Sequence, residues 1–177
     1  CFIGERKYND FVGQYLKTNK GDIISTDGEK LGKHNGHIYF TIGQRKGLGI
    51  GARFTSEDKP WYVVKKDIKK NIVFVAQGED NPALFSKQVI AKNVNWISKM
   101  PKKYPIKLYA KVRYRDNDKI CSVFYLKENS YLVKFQSEQK AITPGQSIVF
   151  YDKSGICYGG GIISKRDIPF LEEKLDE

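Results

Sequence analysis

Cys1 is the side chain in this sequence that is best suited to act as a nucleophile. It stands close to Glu5, Arg6 and Lys7, and neighbouring cations favour the thiolate, which is the reactive form of a cysteine. Closeness along the chain is a weak signal, because a free cysteine is more often buried and inert. Two interpretations of Cys1 therefore stay open, a reactive thiolate and a structural residue.

A second pattern that could do chemistry is a row of cations on the predicted strand 106–115. Side chains alternate between the two faces of a strand, and neighbours on one face lie about 7 Å apart. One face carries Ile106, Leu108, Ala110, Val112 and Tyr114, and the other carries Lys107, Tyr109, Lys111, Arg113 and Arg115. Such a row could neutralise nucleic-acid phosphates while the ring of a tyrosine stacks on a base or a sugar. The alternative is a solvated sheet face on which lysines extend into water.

The composition also favours a polyanionic partner. The 177 residues include 31 lysines and arginines against 20 acidic residues, which gives a net charge of +11. Nucleic acid is a more natural partner for this charge than a membrane surface, and a lysine-rich solvated surface is the alternative. The apolar runs are too short to span a membrane. Three widely spaced cysteines argue against a disulfide scaffold and for a reducing compartment.

Other kinds of site find little support in the sequence. His34 and His37 lack a cysteine or carboxylate partner at metal-ligand spacing, so we interpret both as loop histidines and predict no metal. We find no phosphate-binding loop motif. The glycine-rich stretch 32–51 is predicted to be a loop, with either a structural or a binding role. Cys121 and Cys157 fall within strand patterns and are predicted to be core residues.

The elements that would position these residues fall into two groups. The apolar stripe of residues 6–16 predicts a short helix, and the runs 61–66 and 71–76 predict a hairpin. From residue 88 onward, short strands recur with closely spaced turns, which is typical of a small closed barrel. The predicted barrel strands are 89–97, 106–115, 120–126, 131–136, 147–151 and 156–164.

We therefore predict a mainly β protein, in which a small mixed α/β central domain precedes a six-stranded antiparallel β-barrel. The predicted boundaries are 1–16 for the entry helix, 17–85 for the central domain, 86–165 for the barrel and 166–177 for a tail. The acidic end of that tail is expected to fray. Because the sequence begins with Cys1 rather than methionine, we expect it to be part of a longer protein.

Segments along nearly the whole chain resemble the tRNA-specific 2-thiouridylases, which are also called tRNA-uridine 2-sulfurtransferases. The most specific segment is TIGQRKGLG at 41–49. The other matching segments are CFIGER at 1–6, PWYVV at 60–64, KVRYR at 111–115, AITPGQ at 141–146 and GGGI at 159–162. The resemblance places the chain in the central and C-terminal domains of this family, whose barrel is similar to those of elongation factors.

The resemblance implies a three-part enzyme that puts sulfur on uridine 34, the wobble position of tRNA. Its ATP-pyrophosphatase domain would bind Mg-dependent ATP and activate C2 of the base, and that domain has no counterpart in this sequence. Cys1 matches the cysteine that receives sulfur as a persulfide from a sulfur-relay donor protein. The transfer leaves a disulfide that must be reduced, which implies a cytoplasmic setting, bacterial or in an organellar matrix.

The resemblance also assigns tRNA contacts to Arg113, Tyr114 and Gln146. Arg113 agrees with the cation row, to which Lys111 and Arg115 belong. Tyr114 does not agree, because strict alternation puts its side chain on the apolar face. We therefore expect a bulge or strand end there, or a contact through its backbone. Gln146 follows a Pro-Gly pair and is expected at a turn.

Two other functions stay open at this point. One is a non-catalytic RNA-binding module, in which Cys1 would be idle. The other is a protein-docking barrel like those of translation factors, for which RNA binding would depend little on salt. A surface that binds phosphates should instead lose affinity steeply as salt rises.

Overall fold

A computed structural model of the chain describes residues 13–16, 18–50, 59–97, 101–113 and 116–168. The chain divides into two compact units, residues 1–81 and residues 82–177. β-Strands dominate both units, as predicted for a mainly β protein. Within the described ranges, no helix is long and apolar enough to cross a membrane. Cys1 and most of the predicted helix 6–16 lie outside these ranges.

The first unit is built on a four-stranded sheet with the strand order β2-β1-β4-β3. Its strands are β1 (Gly21–Ser25), β2 (Lys30–His34), β3 (Trp61–Asp67) and β4 (Ile72–Gln77). β1 pairs in parallel with β4, whereas β1 with β2 and β3 with β4 are antiparallel. A 3-10 helix over His37–Tyr39 follows β2. The predicted hairpin over 61–66 and 71–76 is confirmed as β3 and β4.

The inward side chains of these strands explain why the sheet forms. Ile23, Val63, Val73 and Val75 are fully buried, and β-branched residues of this kind pack well on a pleated surface. The turn between β3 and β4 ends at Asn71, whose φ of 54° lies in the left-handed region. Asparagine tolerates that region better than most residues. The apolar runs visible in the sequence therefore form the core face of the first unit.

The prediction that His34 is a loop residue is wrong. His34 ends β2 and is only 4% exposed. Its Nδ1 accepts a hydrogen bond from the backbone N–H of Gly36 at 3.0 Å, and its Nε2 lies 3.2 Å from the carbonyl oxygen of Asn71. Both ring nitrogens are therefore satisfied in a neutral ring, and burial lowers the pKa of His34. His37 lies in the 3-10 helix, with its Nδ1 3.1 Å from Oδ1 of Asn71.

The second unit is a closed antiparallel barrel with the strand order β10-β5-β8-β7-β6-β9. Its strands are β5 (Phe85–Trp96), β6 (Ile106–Lys111), β7 (Lys119–Tyr125), β8 (Ser130–Lys140), β9 (Ser147–Tyr151) and β10 (Cys157–Arg166). The predicted six-stranded barrel is confirmed. β5 begins at residue 85 rather than 89, and β8 continues to residue 140 rather than 136.

The strand that carries the cation row is shorter than predicted. β6 ends at Lys111, and the backbone N–H of Asp116 donates to the carbonyl oxygen of Arg113 at 3.1 Å. This bond between residues three apart closes a turn that begins at Arg113. The prediction of a continuous strand 106–115 is therefore wrong, because Val112 and Arg113 already lie beyond the end of β6. Tyr114 and Arg115 lie outside the described residues.

The barrel is filled by the inward side chains of its strands. Cys121 belongs to this buried cluster, as predicted, and burial raises the pKa of its thiol to about 12. Cys157 was also predicted to be a core residue, but it is only half-buried and lies outside the cluster. The pairing register of β10 with β9 shifts between Cys157 and Gly159, and such an irregularity breaks the alternation that the prediction assumed. Both of these described cysteines are free.

A buried polar cluster joins the end of β10 to the start of β5. Arg166 donates to Oγ of Ser86 at 2.8 Å and to the carbonyl oxygen of Ala83 at 3.0 Å. Oδ1 of Asp167 accepts two consecutive backbone N–H groups of β5 at 3.0 and 2.9 Å. Arg166 and Asp167 are almost fully buried. Residues 166–168, which the sequence analysis assigned to the tail, therefore pack as part of the barrel.

Candidate nucleic-acid interface

An open groove lies on the outer surface of the barrel, where the end of β6 runs beside β9. It has a volume of about 550 Å³. The residues that line it are Lys111, Val112, Arg113, Gly145, Gln146, Ser147, Val149 and Tyr151. The strand pairing explains this set, because Lys111 lies opposite Val149 and outward side chains recur at every second residue. We call this feature the outer groove, and no acidic residue is among its lining residues.

Arg113 is held in the outer groove by a bond to the backbone. Its side chain leaves the barrel at the turn after β6 and donates from Nη2 to the carbonyl oxygen of Ala141 at 2.7 Å. Ala141 has a φ of 56°, an uncommon conformation for a residue that is not glycine. A guanidinium group has several N–H donors, so one bond to Ala141 leaves donors for an anion. Arg113 therefore both positions the loop before β9 and presents charge to the groove.

Lys111 is held between a carboxylate and an aromatic ring. Its Nζ lies 3.5 Å from Oδ1 of Asp118 and 5.6 Å from the centroid of the Tyr151 ring. The side chains of Lys111 and Asp118 are 33% and 42% exposed, and a pair this exposed contributes little to stability and is screened by salt. A phosphate group could therefore replace the carboxylate at small cost.

Gln146 is fixed by backbone hydrogen bonds at the entrance to β9. Its N–H donates to the carbonyl oxygen of Thr143 at 3.2 Å, and its own carbonyl oxygen accepts the N–H of Ile163 at 2.8 Å. The N–H of Gly145 donates back to the carbonyl oxygen of Ile163 at 2.7 Å. The predicted turn is thus confirmed, and it is anchored on both sides to β10. This anchoring fixes the backbone of Gln146 at the edge of the outer groove, which its side chain lines.

Two other depressions on the chain carry mixed charge. One, of about 480 Å³, lies in the barrel unit and is lined by Phe85, Arg113, Asp116, Lys119, Glu138, Gln139 and Lys140. The other, of about 510 Å³, lies in the first unit and is lined by Arg45, Lys59, Pro60, Tyr62, Gly78, Glu79 and Asp80. Carboxylates among these residues reduce the attraction for phosphate. The outer groove is therefore the stronger candidate for binding a polyanion.

The glycine-rich loop of the first unit is tied to its own sheet. The N–H of Gly43 donates to the carbonyl oxygen of Val63 at 2.8 Å, and the N–H of Val63 donates to that of Gln44 at 3.0 Å. The Gln44 side chain accepts the N–H of Thr41 at 2.9 Å and donates to the carbonyl oxygen of Lys46 at 3.0 Å. The side-chain amide of Gln44 is therefore used to hold the loop in its own conformation. These contacts favour the structural role among the two that the sequence left open.

The structure brings together some of the predicted site residues. Lys111, Arg113 and Gln146 meet in the outer groove, although they come from the end of β6, the turn after it and the turn before β9. The remaining predicted site residues lie outside the described part of the chain and stay predictions: Cys1, Tyr114 and Arg115. Within the described residues, no group of three or more His, Cys, Asp or Glu side chains could hold a metal ion.

Tyr151 is a residue of the outer groove that the sequence analysis missed. It ends β9, is half-buried and lies outside the core cluster. The outward alternation of Ser147, Val149 and Tyr151 was readable in the predicted strand 147–151. The pairing of β9 with β6, which places that row beside Lys111, was not readable, because it depends on closure of the barrel.

Comparison with known proteins finds relatives for both units of the chain. Residues 9–77 match the family model of the tRNA methyl transferase PRC-barrel domain, and residues 86–163 match that of the aminomethyltransferase beta-barrel domain. The chain is 46% identical over 172 residues to the tRNA-specific 2-thiouridylase MnmA of Stutzerimonas stutzeri (strain A1501), covering 97% of this chain and 45% of that protein. It is 49% identical over 165 residues to the protein of the same name from Psychromonas ingrahamii, covering 93% of this chain and 45% of the relative. The chain thus spans a little under half the length of the curated relatives it matches.

Proposed function

Because the chain belongs to the tRNA-specific 2-thiouridylase family, we propose that it is the tRNA-holding part of a sulfurtransferase that acts on uridine 34, the wobble position. The observation that carries this proposal is the convergence of Lys111, Arg113 and Gln146 in a groove with no acidic lining residue. Each cation can neutralise one phosphate. An amide side chain can donate to and accept from a base or a ribose.

In the proposed reaction, ATP first activates the base. The oxygen on C2 of uridine is a poor leaving group, and transfer of AMP to it makes it a good one. We propose that ATP and Mg²⁺ bind to a part of the gene product outside these 177 residues. The barrel and the first unit would then bind the tRNA, whereas conversion of ATP to AMP in the other part of the protein would drive the reaction.

Sulfur transfer in this proposal depends on Cys1. A persulfide-donor protein loads sulfur onto the Cys1 thiolate, since the thiolate is the form that exchanges sulfur near neutral pH. The terminal sulfur attacks C2, and AMP leaves with the original oxygen. A second thiolate of the enzyme then attacks the sulfur of Cys1, which releases the thiolated base and leaves a disulfide. Two electrons from cellular thiols reduce that disulfide in a reducing cytoplasm.

In this scheme, contacts between the barrel and the tRNA backbone offset the free energy needed to unstack the target base. A base that is to be modified must leave its stack, which costs a few kcal/mol. Contacts along the tRNA backbone can offset this cost, provided that the contacting groups are already in place. The side-chain bond of Arg113 and the backbone bonds of Gln146 provide part of that preorganisation, because they reduce the ordering of the Arg113 side chain and of the turn before β9 that is left to occur on binding.

The experiment that tests this function uses the complete gene product as the only copy in its host cells. With Cys1→Ala, we expect 2-thiouridine to disappear from digested bulk tRNA, measured by mass spectrometry at equal protein level. The matched control is Cys157→Ala, because Cys157 is a half-buried free thiol of the barrel, and thiolation should then stay normal. Normal thiolation in the Cys1→Ala cells would instead make Cys1 structural and the chain a non-catalytic RNA-binding module.

A further inference from the structure

The outer face of the barrel continues past the outer groove into an aromatic patch. Tyr109 on β6 lies directly opposite Tyr151 on β9 and opposite Ile120 on β7. Tyr109 and Tyr151 are half-buried, and Ile120 is 46% exposed. Since Tyr109 and Tyr151 also lie outside the buried core cluster, these three side chains form one outward row across three strands. We call this row the aromatic patch.

The aromatic patch and the cations of the outer groove lie on the same face. Tyr109 and Lys111 are two residues apart on β6, so their side chains project from the same side of the sheet. The Nζ of Lys111 stands 5.6 Å from the centroid of the Tyr151 ring, which confirms the shared face directly. The cations of the outer groove therefore lie next to the two tyrosines on the outer face of the barrel.

We propose that the aromatic patch binds an unpaired nucleotide of the RNA, with its base stacked on the ring of Tyr151 and its phosphate at Lys111. This inference rests on the proposed function and adds to it a subsite for a single-stranded nucleotide. A sheet face that combines exposed aromatic rings with cations is how proteins bind unpaired bases, because every base has a π-face and every nucleotide a phosphate. A duplex cannot use such a patch, since its bases are already stacked.

The contacts of Lys111 suit this arrangement. A cation–π contact of this length at an exposed site is weak, so a base can displace the ammonium group from the ring. The displaced ammonium then has a phosphate as its partner in place of Asp118. Tyr109 and Ile120 border Tyr151 on the other side and extend the apolar surface beneath the base.

The test measures binding of the complete gene product to two RNAs. One is an anticodon stem-loop, and the other is a blunt duplex with the same number of phosphates. With Tyr151→Leu, we expect binding of the stem-loop to weaken by roughly 5- to 150-fold, the range of one base–aromatic stacking contact. Binding of the duplex should stay unchanged. Tyr151→Phe should retain stem-loop binding. The matched control is Tyr125→Leu. Tyr125 is 47% exposed and lies at the end of β7 away from Ile120 and the aromatic patch, so this variant should bind both RNAs as the wild type does.

A second readout is independent of affinity. We would replace the loop nucleotides one at a time with 2-aminopurine, whose fluorescence is quenched by stacking. One position should be quenched by the wild type and by Tyr151→Phe, but not by Tyr151→Leu. An unquenched loop at every position would overturn the inference, and so would equal weakening of stem-loop and duplex.

The outcomes separate this inference from the proposed function. If Arg113→Gln weakens binding of both RNAs while Tyr151→Leu changes neither, the outer groove still holds RNA and the stacking subsite is wrong. If the wild type binds neither RNA, the proposed function itself fails. If Tyr151→Leu leaves RNA binding intact but abolishes sulfur transfer from the persulfide donor, the patch docks a protein and the inference is overturned.

Discussion

Neutralising the two cations of the outer groove should lower the affinity for tRNA and also the dependence of that affinity on salt. The variant carries Lys111→Gln together with Arg113→Gln. Each phosphate contact contributes about 0.7 to 0.9 to the slope of log affinity against log salt, so loss of both contacts should reduce the slope by about 1.4 to 1.8. Between about 50 and 200 mM salt, the affinity gap between wild type and variant should therefore narrow by about 7- to 12-fold.

The structure supplies controls for this experiment. Asp118→Asn removes the carboxylate that lies 3.5 Å from Lys111, so it should strengthen tRNA binding slightly and leave the slope unchanged or steeper. Arg113→Lys keeps the charge but lacks the planar fork that bonds to Ala141, so its affinity should fall between those of the wild type and Arg113→Gln. Thermal unfolding would show whether loss of the bond from Arg113 to Ala141 has destabilised the barrel, and binding is compared only for variants that unfold at the wild-type temperature.

The assay is fluorescence anisotropy of labelled, unmodified tRNA titrated with the complete gene product at several salt concentrations. A double variant with the wild-type slope would refute the reasoning, because its missing cations could not have been in contact with phosphates. Weaker binding by Asp118→Asn would contradict it as well, since that change only removes negative charge from the neighbourhood of the groove.

Three further predictions concern stability and can be followed separately in the two units, because Trp61 lies in the first and Trp96 in the second. Burial lowers the pKa of His34 in the folded protein, so as the pH falls the unfolded chain binds a proton at this residue before the folded chain does. The free energy of unfolding of the first unit should therefore be constant above about pH 6.5 and decrease below it. Urea unfolding measures this decrease, and a His34→Asn variant should lack it. Asp167→Ala should destabilise the barrel by about 2–4 kcal/mol, because two partly buried N–H groups of β5 lose their acceptor. Asp167→Asn keeps an oxygen and should destabilise it much less, and equal losses would contradict this account. Gly159→Ala should lower the free energy of unfolding of the barrel by at least about 1–3 kcal/mol. The reason is that Gly159 has a φ of 149° and that an added Cβ would lie 2.9 Å from the Cα of Trp96. An unchanged unfolding midpoint would contradict this prediction, because it would show that the backbone relaxes around the added atom.

The barrel was predictable from sequence because its strands are short and its turns carry clear signals. The alternation of β6 is an example: residues 106–111 alternate in burial as the sequence indicates. The end of β6 was not predictable by the same reasoning. In the sequence, cations and apolar residues alternate as far as Arg115. In the structure, strand pairing of β6 ends at Lys111, and the backbone hydrogen bond from Asp116 to Arg113 closes a turn after it.

The parts of the site that escaped prediction depend on contacts between distant residues. The bond from Arg113 to the carbonyl oxygen of Ala141 spans 28 residues, and the burial of His34 depends on Asn71, 37 residues away. Tyr151 joins the groove only because barrel closure pairs β9 with β6. In each case the residue type allows several environments, and long-range packing decides among them. Local pattern therefore identified Lys111 and Arg113 as candidates, and the family resemblance added Gln146. Tertiary structure was needed to show that the three residues share one groove.

The most direct test of the central claim, that the outer groove holds tRNA, is photocrosslinking. We would bind the complete gene product to a tRNA transcript in which uridines are replaced by photoreactive 4-thiouridine, irradiate the complex and map the linked residues by mass spectrometry. The account predicts crosslinks to the outer face of β6 and β9 and to the turn before β9, including Lys111, Gln146 and Tyr151. Crosslinks confined to other surfaces of the protein, with none on this face, would contradict it.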